Sequence, residues 1–296
     1  AERNLAEYRQ QIGRFEVDRI EAATAGLQVP IVLLKGAAYV AAGRPWAIGR
    51  WSSDVDILVP AAQLRRVEQR LHAGGWRSIE LDEYDERYYR DWSHEVPPMR
   101  HVVRGVEVDL HHTIARVTGR VRPDADALVA DAVPIAGSRL RTLCPGDQFL
   151  NTTIHLVQDS DFWRQLRDLV DLDGMIRAQG SDAGFWDHLL ARARLHGLQR
   201  PFFYAMHLAS HLLQSPIPDQ AMAEARRAAP SRPIVALMDA LVARSMLPGN
   251  LDALPSLAAR QARRVLKARY MWLRFPPALF VRHLSYKAWR RVWEGR

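Results

Sequence analysis

The chain has 296 residues, of which 48% are hydrophobic and one is a cysteine, and its formal net charge is +8. This length can bury a full core and is more typical of two domains than of one. Cys144 has no second cysteine to pair with, so an intrachain disulfide is excluded. No charge-free apolar run is long enough for a membrane span, and the charged first residues do not resemble a secretory signal. We therefore expect a soluble, cytoplasmic protein.

The chain begins with a predicted helix over residues 2 to 26. Apolar side chains recur there at helical spacing, and we expect four of them to be buried against the rest of the protein: Leu5, Ile12, Phe15 and Ile20. The helix is therefore predicted to have a packing role.

A short apolar run at residues 30 to 34 indicates a buried strand, and Lys35-Gly36 then leads into a helix. A strand that enters a helix through a glycine leaves backbone N–H groups at the helix start, where a phosphate can bind. Lys35 would add a positive charge beside that phosphate. Lys35 could instead simply end the strand in solvent, but the acidic residues downstream favour the phosphate.

The segment that begins at Asp54 carries the strongest functional pattern. Three β-branched residues alternate there with two acids, so a strand would bury one set and present the other: Val55, Ile57 and Val59 against Asp54 and Asp56. Carboxylates two positions apart on a strand can converge on a divalent cation, and hard oxygen ligands suit Mg²⁺ or Mn²⁺. We therefore predict that this strand holds metal.

A second strand with the same alternation is predicted at residues 105 to 111, and its polar face includes Asp109 and His111. It forms a predicted hairpin with the preceding strand, residues 99 to 103. If the second strand lies beside the first, Asp109 supplies a third carboxylate to the metal site.

These motifs together resemble the DNA polymerase β-like nucleotidyltransferase superfamily. The resemblance rests on three pieces of sequence: Leu33-Leu34-Lys35-Gly36, then Arg50 with Ser53-Asp54-Val55-Asp56-Ile57-Leu58-Val59, then Val106-Glu107-Val108-Asp109-Leu110-His111. It is strongest to bacterial uncharacterised nucleotidyltransferases, in which Lys-Gly stands where most of the superfamily has Gly-Ser or Gly-Gly. The resemblance implies an α+β fold, in which a polymerase β-like head, a mixed sheet with flanking helices, is followed by an all-helical domain.

The same resemblance implies a metal-dependent transfer of a nucleotidyl group from an NTP to an unidentified acceptor, with release of pyrophosphate. The acceptor could be a small molecule, a peptide or RNA. Two Mg²⁺ or Mn²⁺ ions would be held by Asp54, Asp56 and Asp109. The nucleotide would be bound by further residues, namely Lys35, Gly36, Arg50, Ser52, Ser53, Arg167 and Asp171. Positioning and charge stabilisation supply most of the catalysis in such transfers.

Beyond Pro145 the pattern changes to helices alone. We therefore predict a nucleotidyltransferase domain at residues 1–145 and a helical domain with a basic tail at residues 146–296. Helical spacing predicts helices at residues 147–158, 162–178, 183–196, 201–213, 233–246 and 256–273.

The second of these helices separates charged from apolar groups. Arg164, Arg167, Asp168 and Asp171 share its charged face, and the predicted buried face consists of Leu166, Leu169, Val170 and Leu172. In related nucleotidyltransferases, a helix with an Arg or Lys and an Asp faces the active cleft. A solvated ladder of salt bridges explains the pattern equally well, so both interpretations stay open.

The C-terminal segment is strongly basic and contains several Trp and Phe residues. Its basic residues are Arg260, Arg263, Arg264, Lys267, Arg269, Arg274, Arg282, Lys287, Arg290, Arg291 and Arg296. Such a segment could bind nucleic acid, lie on an anionic membrane surface, or recognise an acidic protein or a phosphorylated product. A solvated helical tail is the alternative.

Two rival functions use the same acidic residues. In a glycosyltransferase, Asp-Val-Asp would hold a cation on a sugar nucleotide, although too few strand–helix units precede residue 145 for its usual fold. The third hypothesis is a non-catalytic nucleotide- or peptide-binding module. A zinc site is not favoured, because the histidines lack ligand spacing: His94, His101, His111 and His112.

Overall fold

The computed structural model describes residues 2–50, 52, 54–158, 161–162, 165–246 and 255–293. Ser53, predicted to bind the nucleotide, and Arg164, predicted on the charged helix face, lie outside these residues. Arg296 of the basic tail also lies outside them, and the side chains of Lys287 and Arg291 are not described.

Within the described residues, seven strands form one mixed sheet. They are β1 (Val32–Leu33), β2 (Asp54–Leu58), β3 (Trp76–Ser78), β4 (Met99–His101), β5 (Glu107–His111), β6 (Val133–Pro134) and β7 (Arg141–Thr142). Their order across the sheet is β3-β4-β5-β2-β1-β7-β6. Strand β2 is parallel to β5 and antiparallel to β1. The two strands with alternating acids are therefore neighbours.

Strands β2 and β5 lie in the interior of the sheet, and their apolar side chains are buried. Val55 is 3% exposed, and Ile57, Val108 and Leu110 are 0% exposed. The predicted hairpin is confirmed as the antiparallel pairing of β4 and β5. Gly105 closes its turn with a φ of 71°, a conformation that costs glycine little because it has no Cβ.

Helices flank the sheet and account for most of the remaining described residues. They are α1 (Glu2–Ala23), α2 (Lys35–Ala41), α3 (Leu64–Ala73), α4 (Glu83–Trp92), α5 (Ala125–Ala130), α6 (Pro145–Gln158), α7 (Leu166–Gln179), α8 (Ala183–Leu195), α9 (Gln199–Leu213), α10 (Asp219–Arg226), α11 (Arg232–Ser245), α12 (Leu257–Arg274) and α13 (Pro277–Trp293). The predicted α+β class, a mixed sheet with flanking helices followed by helices, is confirmed. Of the described helices, none has both the length and the apolar character that crossing a bilayer requires.

Helix α1 forms as predicted, but its predicted packing face is wrong. Leu5, Ile12 and Phe15 are 48%, 38% and 49% exposed, whereas Ile20 is fully buried. The buried face instead contains Glu16, which is 1% exposed and whose Oε1 lies 2.6 Å from Arg104 Nε. A paired carboxylate is thus buried where periodicity alone favours an apolar group.

The sheet and the following helices share one hydrophobic core. The hydroxyls of Tyr39 on α2 and Thr152 on α6 are 2.6 Å apart and buried. Phe149 of α6 packs edge-on against Phe202 of α9, with ring centres 5.9 Å apart. Helix α6 is therefore the element that joins the sheet to the helical part of the chain.

The basic C-terminal segment folds back onto α4. Tyr286 of α13 stacks on Tyr84 with ring centres 3.8 Å apart, and the Tyr84 hydroxyl lies 3.0 Å from His283 Nδ1. Trp289 and Trp293 remain 53% and 75% exposed. The segment is therefore partly packed, so the simple solvated tail is wrong for α13.

Candidate active site

The register between β2 and β5 organises the site. Asp56 and Asp109 are Cα partners in the parallel pairing, and Asp54 is the partner of Glu107. Paired positions on neighbouring strands place their side chains on the same face of a sheet. The pairing therefore brings Asp109 beside Asp56.

Asp56 is an ionised carboxylate in a buried position. It is 3% exposed, and its Oδ1 lies 2.8 Å from Lys35 Nζ and 3.0 Å from His111 Nε2. Burial alone would raise its pKa, but the Lys35 charge and the His111 hydrogen bond outweigh burial and hold the pKa of Asp56 far below its usual range. Asp56 thus carries its negative charge at neutral pH.

Lys35 reaches Asp56 from an unusual backbone conformation. Its φ is +47°, in the left-handed region that residues with a Cβ seldom adopt. Such strain is concentrated at functional sites, where the surrounding structure maintains it. A Cβ on the next residue, Gly36, would lie 3.6 Å from both the Arg50 guanidinium and the Ser52 Cβ. The Lys-Gly pair therefore packs directly under the loop that precedes β2.

Asp109 has an oxygen without a partner. Its Oδ1 is buried and accepts no hydrogen bond from the described residues. Burial raises the pKa of Asp109 to about 7, and the negative charges of Asp56 and Glu95 act in the same direction. A buried carboxylate oxygen without a partner is costly, and a cation would satisfy it. The residues present therefore fit a divalent cation.

Two sets of side chains in the described chain could each hold a cation. Within each set the ligand atoms lie within 4.8 Å of one another, and His111 belongs to both: Asp56, Asp109 and His111, and His94, Glu95 and His111. Asp54 is in neither set of the described chain, and its Oδ1 accepts a hydrogen bond from Ser52 Oγ at 2.7 Å. Asp54 lines the same cleft, and its role as a ligand stays a prediction.

His94 and Glu95 reach the site through a short pairing with the end of β5. Glu95 forms an antiparallel bridge with His111, whose Nε2 lies 3.6 Å from Glu95 Oε2. His94 Nε2 lies 3.7 Å from the same oxygen. Sequence spacing gives no signal for this cluster, because the two segments meet only through the pairing. His101 lies elsewhere, edge-on to Trp76.

Arg50 is held by two acids of α7. Its Nη2 lies 3.0 Å from Asp171 Oδ2 and 3.9 Å from Asp168 Oδ1, and all three side chains are at most 9% exposed. Asp168 Oδ2 also lies 2.6 Å from His155 Nδ1. Burial raises the pKa of Asp171 to about 7, while the Arg50 charge opposes that shift. Asp168 and Asp171 of α7 are therefore buried around Arg50, which comes from the loop before β2.

The predicted solvated ladder on α7 is wrong for its acids, because Asp168 and Asp171 are 5% and 3% exposed. Val170, predicted to be buried, is 52% exposed. Arg167 is exposed. Partial burial and, to a smaller extent, the positive charge of Arg50 lower the pKa of Arg167. Leu169 and Leu172 are buried as predicted, so the inner face of α7 contains apolar residues together with the two acids that pair with Arg50.

A cleft of about 230 Å³ lies at this site, between the sheet and the helices. Lys35, Asp54 and Asp109 line it from the sheet side. Residues of α6 and of α12 complete the lining, among them Asn151, His155, Tyr270 and Arg274. Cationic and acidic groups thus share one enclosed space, a combination that suits a nucleotide with bound metal.

Comparison with known proteins identifies the family. The chain belongs to the family described as uncharacterised nucleotidyltransferase, whose model matches residues 1–214. It is therefore a transferase, and the predicted membership in the uncharacterised nucleotidyltransferases is confirmed.

No curated protein matches the chain. One solved structure that the chain is similar to is the antibiotic-resistance factor ANT(2'')-Ia, with 16% identity over 66% of this chain and 95% of that chain and a TM-score of 0.38. Another is an antigenic nucleotidyltransferase-like protein from Paracoccidioides brasiliensis, with 14% identity over 74% of this chain and 95% of that chain and a TM-score of 0.34.

Proposed function

We propose that the chain transfers a nucleotidyl group from an NTP to an acceptor hydroxyl or phosphate and releases pyrophosphate. The family supplies the class of reaction. The observation that carries the proposal is the register that sets Asp56 beside Asp109, which lines the cleft. The acceptor oxygen bonds to the α-phosphorus while the bond from that phosphorus to the β-phosphate oxygen breaks. The proton of an acceptor hydroxyl passes to Asp109 Oδ1, which accepts no hydrogen bond from the described residues.

Two divalent cations, Mg²⁺ or Mn²⁺, are proposed for the site. Asp56 and Asp109 would hold one of them together with Asp54, which leaves His111 to the other with His94 and Glu95. When bound, such ions neutralise phosphate charge and activate the attacking oxygen. Imidazole ligands suit Mn²⁺ better than Mg²⁺, so the second position favours Mn²⁺.

Lys35 and Ser52 are proposed to contact the phosphates of the NTP, with Gly36 giving them close approach. Lys35 lines the cleft, and its ammonium is fixed 2.8 Å from Asp56. Arg50 and Asp171, also predicted to bind the nucleotide, are proposed to act as positioning residues, because they already pair with each other at 3.0 Å. Arg167, which is exposed, keeps its predicted role in nucleotide binding. Ser53 lies outside the described residues and keeps the same predicted role.

The reaction requires an NTP donor and an acceptor, and the acceptor class stays open among small molecules, peptides and RNA. The family assignment favours nucleotidyl transfer over the glycosyltransferase and the non-catalytic module. Contact of the basic tail with nucleic acid or an anionic membrane stays a prediction, for which the exposed Trp289 and Trp293 offer a surface.

A screen of NTPs with Mg²⁺ or Mn²⁺ tests the function. Candidate acceptors are incubated with the full chain and analysed by mass spectrometry, and pyrophosphate is measured in parallel. A mass increase of one nucleoside monophosphate with an equal amount of pyrophosphate supports the proposal. A sugar increment with release of a nucleoside diphosphate contradicts it, and metal-dependent NTP binding without any product supports a binding module.

A further inference from the structure

Two arginines line the cleft together with its acids. Arg116 lies in the loop after β5, and Arg274 is the last residue of α12. Their guanidinium carbons lie 5.9 and 4.7 Å from the centre of the same Tyr88 ring. The two guanidinium groups that line the cleft therefore both pack on the Tyr88 ring.

Neither arginine forms an ion pair with a carboxylate in the described part of the chain. Arg274 donates a hydrogen bond to the Tyr270 hydroxyl at 2.7 Å, and its Nε is buried without a partner among the described residues. Arg116 donates to the hydroxyls of Tyr88 and Ser93. Burial lowers the pKa of Arg274 to about 10. Burying like charges together without a counterion is unfavourable, so an anion in the cleft would be strongly attracted.

A third hydrogen-bond donor in the cleft also lacks a partner. Asn151 of α6 lines the cleft and is 4% exposed, and none of the described residues accepts a hydrogen bond from its Nδ2. Buried amide N–H groups are nearly always paired in folded proteins. Arg274 Nε and Asn151 Nδ2 are thus two donors without acceptors in the described residues, beside two guanidinium charges, an arrangement that complements an oxyanion.

We propose that Arg116, Arg274 and Asn151 form a binding site for an anionic group, a phosphate or a carboxylate, of one of the two substrates. Planar guanidinium groups bind such oxyanions with paired, charge-assisted hydrogen bonds. Anion binding needs no transfer reaction, and the inference rests on the proposed function only where it assigns the anion to a substrate.

The site is held in place before any ligand binds. The Thr118 hydroxyl donates to the Arg274 carbonyl at 3.0 Å, which ties the loop after β5 to the end of α12. Arg274 also packs on the rings of Tyr270 and Phe275, with its guanidinium carbon 5.4 and 4.8 Å from their centres. Side chains restrained in this way lose little entropy on binding.

Calorimetric titration of the full chain with inorganic phosphate, at constant ionic strength, tests the anion site. The wild type is expected to bind phosphate saturably. Arg274→Gln and Arg116→Gln are each expected to weaken binding at least about tenfold, because each removes a charge-assisted pair of hydrogen bonds. Equal affinity in the folded variants and the wild type, or no phosphate binding by the wild type, would overturn the proposal.

Arg282→Gln is the matched control. Arg282 is exposed on α13, with its guanidinium carbon 5.8 Å from the centre of the Trp92 ring, and its substitution is expected to leave phosphate affinity unchanged. An equal loss in this variant would show a general charge effect and would sink the anion site. Circular dichroism checks folding, and Arg116→Gln carries the test if Arg274→Gln does not fold.

Titration with ATP and Mn²⁺ identifies the source of the anion. If the site holds the donor triphosphate, Arg274→Gln weakens ATP binding by the same factor and phosphate competes with ATP. If the site holds an anionic acceptor, ATP affinity is unchanged and phosphate binds to the ATP-saturated protein. Phosphate binding without binding of ATP, GTP, CTP or UTP would contradict the proposed function while leaving the anion site intact.

Discussion

Asp56 and Asp109 occupy the same rung of the sheet, one on β2 and the other on the parallel strand β5. Asp56 is compensated by Lys35 and His111, whereas Asp109 Oδ1 has no partner in the described chain. The two carboxylates therefore differ in charge compensation although they are neighbours. From this difference we propose that Asp56 anchors the site and that Asp109 contacts the reacting groups.

Asp109→Asn is expected to abolish nucleotidyl transfer without unfolding the chain. The substitution keeps the side-chain volume but removes the charge, and loss of one such group costs at least about a hundredfold in rate. Transfer is measured with any acceptor found in the screen, and folding by thermal melting. Glu107→Gln on the same strand is the control, because Glu107 pairs with Arg100 and is expected to be dispensable. Unfolding of Asp109→Asn would show a structural acid.

Lys35→Gln is expected to lower stability as well as transfer. It leaves the buried Asp56 carboxylate with His111 alone, and breaking a buried ion pair costs about 3 kcal/mol. The free energy of unfolding from urea titration measures the loss. The double variant with Asp56→Asn is expected to recover part of it. An unchanged unfolding free energy in Lys35→Gln would show that the pair contributes nothing.

Arg50→Ala is expected to destabilise the fold by about 3 to 5 kcal/mol, because it leaves Asp168 and Asp171 buried without their cation. Adding Asp171→Asn should restore part of the free energy of unfolding. Urea titration and NTP binding are measured on the same samples. Normal stability with weakened NTP binding would contradict the positioning role and favour direct phosphate contact.

The stability of the chain is expected to depend on pH through Asp171. Burial raises the pKa of Asp171 in the folded state to about 7, whereas the pKa of an aspartate in the unfolded state is about 3.9. The folded state holds this proton more tightly, so the stabilisation is complete below about pH 4 and is lost as pH rises through about 7. Relative to Asp171→Asn, the unfolding free energy of the wild type should fall over that range. Parallel pH curves would show that Asp171 does not titrate there.

Local patterns predict the strands that carry the acids. The alternation of apolar and polar residues in β2 and β5 is visible in the sequence, because one face of each strand is apolar and buried. That alternation does not predict which strands are neighbours. Adjacency is the condition for a site shared by Asp56 and Asp109, and the parallel register of β2 and β5 meets it. The hairpin of β4 and β5 follows from its glycine turn.

Long-range pairing decides the rest of the site, and the sequence carries no local signal for it. His94 and Glu95 join His111 only through a bridge to the end of β5. Arg50 pairs with buried acids on α7, far along the chain, so Asp168 and Asp171 are buried beside Leu169 and Leu172, whereas Val170 is exposed. In each case a charged side chain is buried because a partner from a distant segment pairs with it, and local sequence propensity does not identify that partner.

The fate of the α-phosphorus of the NTP tests nucleotidyl transfer most directly. The chain is incubated with Mn²⁺, small-molecule and peptide fractions of a cell extract, and ATP labelled at either the α- or the γ-phosphorus. We predict that the α-label enters a product and the γ-label appears in pyrophosphate, and that neither occurs with Asp109→Asn. Entry of the γ-label into the product, or equal labelling by Asp109→Asn, would contradict nucleotidyl transfer at the paired carboxylates.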